Sequence, residues 1–216
     1  MSDDVLDRVR RALGRTGRLA AAPVPPRIDE SITRLLNGGE DLAAHFTRMC
    51  EENKMHVEPV AAAQLSSRLG EFLGSNGIKR VALSNGGLLE RLSVPAALWL
   101  GGIEAWTWNQ ITLDKLYDFE CGITDVDYAV AETGSLVERA TAGHGRSLSL
   151  VPALHIAVVE ASRIVPDLVD LFAALTRDGM GSAVTLITGP SKTSDIEMNL
   201  VIGVHGPMQV QVFLVT

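Results

Sequence analysis

Cysteine is scarce. The chain of 216 residues holds two, Cys50 and Cys121, and neither has a second cysteine spaced as C-x-x-C. A disulfide framework, a zinc ribbon and Cys-ligated iron–sulfur binding are therefore disfavoured. Long apolar runs are missing too. The stretches around 94–100 and 202–204 are short or broken by Pro, Gly and His, far below the roughly 20 apolar residues of a membrane helix, so no membrane span is expected. Basic excess is also absent. Net charge is −7: residues 1–54 carry nine basic and nine acidic side chains, whereas residues 55–216 carry ten and seventeen. An acidic body repels a phosphate backbone, which argues against nucleic acid as a partner. Arg8, Arg10, Arg11, Arg15 and Arg18 cluster near the start, but Asp3, Asp4 and Asp7 precede them. Transit peptides are poor in acids and a secretory signal needs an apolar core, so the expected location is cytoplasmic.

Against these absences stand 46% apolar and 21% charged residues, the balance of a soluble globular domain. At this length roughly 70% of the unfolded chain's surface can be buried in one core. Val5, Leu6, Val9 and Leu13 recur at helical spacing, which predicts an amphipathic helix over 3–14 with Ser2 or Asp3 as its cap. Prolines 23, 25 and 26 follow and predict an extended Ala/Pro linker, so residues 1–30 read as a helical arm and 31–216 as the body. The arm suits packing on its own body, on a second copy or on a different subunit.

From residue 40 onward, element types alternate. Helices are expected over 41–53, 61–73, 112–119 and 166–178, with a short one after Asn85-Gly86-Gly87. Strands are expected over 55–60, 79–84, 154–159, 183–188, 200–204 and 208–215, while 95–106 is ambiguous. This alternation indicates an α/β fold with a mixed, largely parallel sheet flanked by helices. The last two strands are joined by a Gly-Pro turn and must pair antiparallel if they are neighbours.

Several segments can carry chemistry. In Ala131-Glu132-Thr133-Gly134-Ser135-Leu136, a glutamate interrupts a strand-like run, which costs desolvation unless something bonds it. The segment is either a hairpin turn with Glu132 solvated or a cleft. In a cleft, Glu132 acts as base or nucleophile and Thr133, Gly134 and Ser135 offer donors to an anionic oxygen. Asp125 and Asp127 form a carboxylate pair but lack a third ligand nearby, so no metal site is expected. The loop Thr188-Gly189-Pro190-Ser191-Lys192-Thr193 follows a strand, where α/β sheets bind ligands. Its small residues let backbone N–H groups approach an anion and Lys192 adds charge. Ser194-Asp195-Ile196-Glu197 equally fits a capping box, and the spacing does not match a nucleotide P-loop. In Gly203-Val204-His205-Gly206-Pro207, His205 is either incidental to a turn or a ligand contact. Arg146 follows the flexible Gly143-His144-Gly145 and suits carboxylate or phosphate capture. His155, inside an apolar run, reads as a satisfied core histidine.

In order along the chain, Ala131-Glu132-Thr133-Gly134-Ser135-Leu136, Arg146-Ser147-Leu148, Leu154-His155-Ile156, Thr188-Gly189-Pro190-Ser191 and Gly203-Val204-His205-Gly206-Pro207 resemble the LUD-domain family over about residues 40–216. The resemblance implies a fold similar to the NagB/RpiA/CoA-transferase group, whose α/β sheets bind acyl-CoA or sugar phosphates. It implies a component of a cytoplasmic system that oxidises L-lactate to pyruvate for use as a carbon source. Larger LUD proteins carry ferredoxin-type cysteine motifs that this chain lacks. The resemblance thus assigns iron–sulfur clusters to partner subunits and no redox cofactor to this one. Glu132 is then the candidate catalytic residue, and Thr133, Gly134, Ser135, Arg146, Gly189, Ser191, Lys192, Thr193, His205 and Gly206 are candidate contacts to a small anion. The alternative is a free-standing enzyme of CoA-transferase or sugar-phosphate-isomerase type using Glu132.

Overall fold

The computed structural model describes residues 3–14, 24, 26, 29, 34–36, 41–193, 201–203 and 205–216. The chain divides into two units, residues 1–33 and 34–216. In the first, helix α1 (Asp3–Ala12) carries an Arg10–Asp7 pair at 2.7 Å and leaves Val5 and Val9 about half exposed. The expected cap at Ser2 and most of the linker lie outside the described residues.

In the second unit, a helix Leu42–Glu52 (α2) starts where Asp41 accepts from the N–H groups of Ala43 and Ala44. Strands β1 (His56–Val60) and β2 (Arg80–Leu83) flank helix α3 (Leu65–Ser75). The ambiguous 95–106 stretch resolves into helix α5 (Val94–Leu100), which follows the short α4 (Gly87–Arg91), and strand β3 (Glu104–Thr107). The helix expected over 112–119 shrinks to α6 (Leu113–Leu116). Strand β4 (Cys121–Asp125), which no periodicity signalled, is followed by β5 (Tyr128–Val130), β6 (Ser135–Arg139) and β7 (Leu154–Glu160). Then come β8 (Ile164–Val165), α7 (Leu168–Asp178), β9 (Val184–Ile187), β10 (Lys192–Thr193), β11 (Val201–Ile202) and β12 (Gln209–Val215).

Six strands form one sheet in the order β1-β12-β7-β4-β2-β3, every neighbouring pair parallel. The α/β architecture is as the sequence implies, with the mixture of directions located elsewhere. It comes from a second sheet, β8-β5-β6-β9, whose β5–β6 and β6–β9 pairs are antiparallel. The expected pairing of the last two strands does not occur. β11 pairs with β10, while β12 runs parallel between β1 and β7. The apolar run Val212-Phe213-Leu214-Val215 in β12 fits a strand covered on both faces.

Alternate residues of the central strands feed the two faces. Ile156, Val158 and Phe213 pack with Leu65, Leu69 and Leu73, the buried stripe of α3, and with α4 and α5. Ala157, Val159, Val212 and Leu214 pack instead with Phe46 of α2 and with Ala129 and Leu136 of the small sheet. The outer side of that small sheet is covered by Leu171, Ala174 and Leu175 of α7. The strand expected to be buried over 183–188 is β9, an edge strand of this sheet, and Leu186 is exposed. Gly122 on β4 is a required glycine, because a Cβ there collides with the Leu148 carbonyl of the 3₁₀ turn Arg146–Ser149.

Candidate functional site

The carboxyl ends of β2, β4 and β7 lie side by side, and the loops leaving them surround a pocket of about 190 Å³. Ser84 to Leu88 follow β2, Asp125 ends β4, and Glu160 ends β7, with Arg163 just beyond it. Thr141 and His144, from the turn after β6, complete the wall. In open α/β sheets this crevice is where ligands bind.

Asp125 is the pivot of the pocket floor. Its Oδ1 accepts from Leu89 N at 3.0 Å, its Oδ2 faces the Ser84 hydroxyl at 3.4 Å, and its own N–H donates to Ser84 Oγ at 2.9 Å. Gly87, at φ +61°, fits because any Cβ there lies 2.7 Å from Asp125 Oδ2. Burial pushes the Asp125 carboxyl up to about 6, only partly opposed by those donors. Its sequence neighbour Asp127 has a different task. Arg139 grips it through Nε at 2.9 Å, Nη2 at 2.7 Å and the backbone N–H at 2.7 Å, a fork that leaves no carboxylate pair for a cation. Among the described residues, no group of three His, Cys, Asp or Glu is placed to hold a metal ion.

Behind the pocket lies a buried polar chain. Glu138 projects from β6 toward the main sheet and is 3% exposed. It accepts from Thr124 Oγ1 at 2.5 Å, lies 3.3 Å from His144 Nε2 and 3.3 Å from His155 Nε2. Thr124 has one hydroxyl proton and gives it to the carboxylate. His155 Nε2, 2.8 Å from the same oxygen, must therefore be the donor to it. That tautomer leaves Nδ1 of the fully buried His155 as an acceptor without a partner, so the reading of a satisfied core histidine holds for one ring nitrogen only. Burial alone raises the Glu138 carboxyl, but contacts with His144 and His155 overcome it and hold the group far below the usual carboxylate range. Burial lowers His144, and the adjacent Glu138 more than offsets this, so its net shift is upward. Among the described residues, His144 Nε2 makes no hydrogen bond of proper geometry, so Glu138 acts on it as a nearby charge rather than as an orienting acceptor.

The sequence-predicted residues assemble elsewhere. Residues 131–135 form the β5–β6 turn, as the hairpin reading expects. Glu132 is half-buried there, its N–H bonded to Pro166 O at 3.0 Å, and it is not among the residues lining the pocket. Thr133 Oγ1 lies 2.8 Å from Ser135 Oγ, which lies 2.7 Å from Thr188 Oγ1, so three hydroxyls form one chain. Gly134, at φ +64°, backs onto the Met49–Cys50 backbone, and Asn53 Nδ2 donates to Thr133 O at 2.8 Å. Gly189 also backs onto Asn53. Ser191 N–H donates to Pro207 O and its carbonyl accepts from Gly203 N–H, each at 2.9 Å, while Gly206 packs against its side chain. Thus the 131–135, 188–191 and 203–207 segments do gather around α2 and the β10–β11 pair. Lys192, Arg146 and His205 are exposed. Thr193 lies in β10, and the 194–197 capping box lies outside the described residues.

Sequence reasoning passed over Glu138, Thr124 and His144 as site residues. Thr124 and His144 carried no signal, whereas one marked Glu138, a glutamate in the apolar run Leu136-Val137-Glu138, and another its partner, the histidine in Leu154-His155-Ile156. Each costs burial alone, and together they neutralise it.

Comparison with known proteins agrees with the fold. A solved DUF162 family protein from Deinococcus radiodurans superposes with a TM-score of 0.62 at 26% identity, covering 82% of this chain and 97% of that one. A protein named Lactate utilization protein C from Exiguobacterium sp. is 31% identical, over 99% of this chain and 95% of its own. One of the same name from Bacillus subtilis is 30% identical with the same coverage. The LUD domain family matches residues 43–215. The chain belongs to the LUD-domain family.

Proposed function

We propose that this chain is a subunit of a lactate utilisation system, one that oxidises L-lactate to pyruvate with iron–sulfur clusters held by partner subunits. The observation that carries the reading is the near end-to-end match to relatives named Lactate utilization protein C. The two cysteines support the assignment of clusters to partners. Both are buried, and neither has a second cysteine spaced as C-x-x-C, the pattern that cluster ligation uses. Among the described residues no helix is long and apolar enough to cross a membrane, and the reading places the subunit in the cytoplasm. Residues 1–30 act as the docking arm and 31–216 as the ligand-binding body. Deleting the gene in its host tests this: growth on L-lactate should stop and return on complementation. Unimpaired growth without a second copy counts against the reading.

A second reading, a CoA-transferase-like or isomerase-like enzyme using Glu132, draws support from the Thr133–Ser135–Thr188 hydroxyl chain beside that residue. It predicts an acyl-transfer or isomerase activity in the purified chain that Glu132→Gln abolishes. Analogy of fold alone does not establish that chemistry.

A further inference from the structure

The cations around the pocket are unequally committed. Arg139 is held by Asp127 and by the carbonyls of Asp178 and Gly179, and Arg91 pairs with Glu160 at 2.9 Å. Arg163 differs. Its guanidinium sits over the Tyr128 ring, 5.8 Å from the centroid, its side chain is exposed at the pocket wall, and among the described residues no carboxylate pairs with it. A guanidinium beside a ring keeps its N–H groups for a ligand, and its fork matches a carboxylate bidentately.

The interior end of the pocket has another character. Asp125 and His144 present a carboxyl and an imidazole to the same space, groups suited to a hydroxyl or carbonyl oxygen rather than to a second anion. On the protein side Leu89 and Ser84 hold Asp125, and the Glu138 carboxylate stands 3.3 Å from His144 Nε2.

We infer that this pocket binds a short 2-hydroxy or 2-oxo monocarboxylate, with Arg163 taking the carboxylate and Asp125 and His144 meeting the oxygen on the neighbouring carbon. The choice of acid rests on the lactate utilisation reading. The division of the site into a cationic rim and a hydrogen-bonding interior rests on the geometry.

Calorimetric titration of the full chain with L-lactate and with pyruvate tests it, with inorganic phosphate as the competing anion. One of the two acids should bind at a single site, and Arg163→Gln should weaken it at least about tenfold, the loss of roughly one charge-assisted contact. Arg163 is exposed, so this variant should keep the wild-type near-ultraviolet circular dichroism. Asp125→Asn, which can retain the Leu89 and Ser84 hydrogen bonds, tests the interior end and should also weaken binding. Lys115→Gln, exposed on α6, should leave it unchanged. Failure of the wild type to bind either acid overturns the inference, as does an Arg163→Gln variant that binds as tightly as wild type. Phosphate that binds as tightly as the acid and displaces it also overturns it, since the site then recognises any small anion. Growth on L-lactate is read separately. A deletion strain that cannot grow, with a purified chain that binds no acid, removes this inference and leaves the subunit's role standing.

Discussion

Glu138 is a carboxylate almost without water, kept ionised by two imidazoles and a hydroxyl rather than by solvent. Replacing it with Gln removes the charge that raises His144. The His144 resonances, which should titrate above the ordinary 6.5 in the wild type, should then titrate below it by NMR. The same variant should lose about 3–5 kcal/mol in urea unfolding, because breaking a buried pair leaves its partner uncompensated. The pH window follows from the two shifts. Glu138, depressed in the fold, stabilises above its unfolded value of 4.5 and loses this as pH falls; His144, raised, stabilises below 6.5 and loses this as pH rises through its folded value. The pair should therefore support the fold most between those limits. Asp125 has the opposite sign to Glu138. Its carboxyl is raised from 3.8 to about 6, so the stabilisation it carries when neutral is complete below 3.8 and lost as pH rises through about 6. Asp125→Asn should accordingly unfold at the same urea concentration as wild type in acid, yet gain on the order of 2 kcal/mol over it above pH 6.

At the scale of elements, local rules fix more than they first show. The β5–β6 turn was legible because Gly134 sits where a left-handed residue is needed between two apolar runs. Helix α2 was legible as a helix over 41–53, and its cap emerges in the structure, where Asp41 accepts from two N–H groups; Asp41→Ala should cost about 1 kcal/mol by thermal denaturation. Strand β4 was not legible. Only five residues long, it holds Gly122 and Thr124, which lack apolar weight, and its identity as a strand comes from pairing on both sides with β2 and β7. Gly122 is there because the 3₁₀ turn Arg146–Ser149 lies directly on it. Gly122→Ala should destabilise the fold by about 1–3 kcal/mol, the usual cost of overpacking, measured by urea unfolding. Gly74→Ala on the exposed face of α3, whose added Cβ meets nothing within 4 Å, is the control and should not destabilise, gaining up to about 1 kcal/mol from helix propensity.

For the whole molecule, the proposed function gives the Arg-bearing arm the docking of partner subunits and the acidic body the ligand. If the arm docks partner subunits, deleting residues 1–27 should abolish co-purification of an iron–sulfur partner from the host, whereas retained binding rules the arm out as the docking element. The site shows how far a sequence can be read at this scale. The motif-bearing loops 131–135, 188–191 and 203–207 do meet, as their shared hydroxyl and backbone bonds show. The pocket, however, is built at strand ends, from Ser84 just after β2 and from Asp125 and Glu160, far apart in the chain and made neighbours by parallel pairing.

The sequence by itself determined what depends on neighbours in the chain: the alternation of helix and strand, the turn between β5 and β6, the lack of a cysteine cluster and the order of motifs that marks the family. Tertiary structure alone decided which strands pair, that the antiparallel strands form a separate sheet, and that Glu138 rather than Glu132 lies behind the pocket. The reason is physical. Periodicity and propensity act over a few residues, whereas the state of a buried ionisable group is set by whichever side chains the fold brings within about 4 Å of it. Glu138, Thr124, His144 and His155 come from four segments, and only their convergence makes burying each of them tolerable.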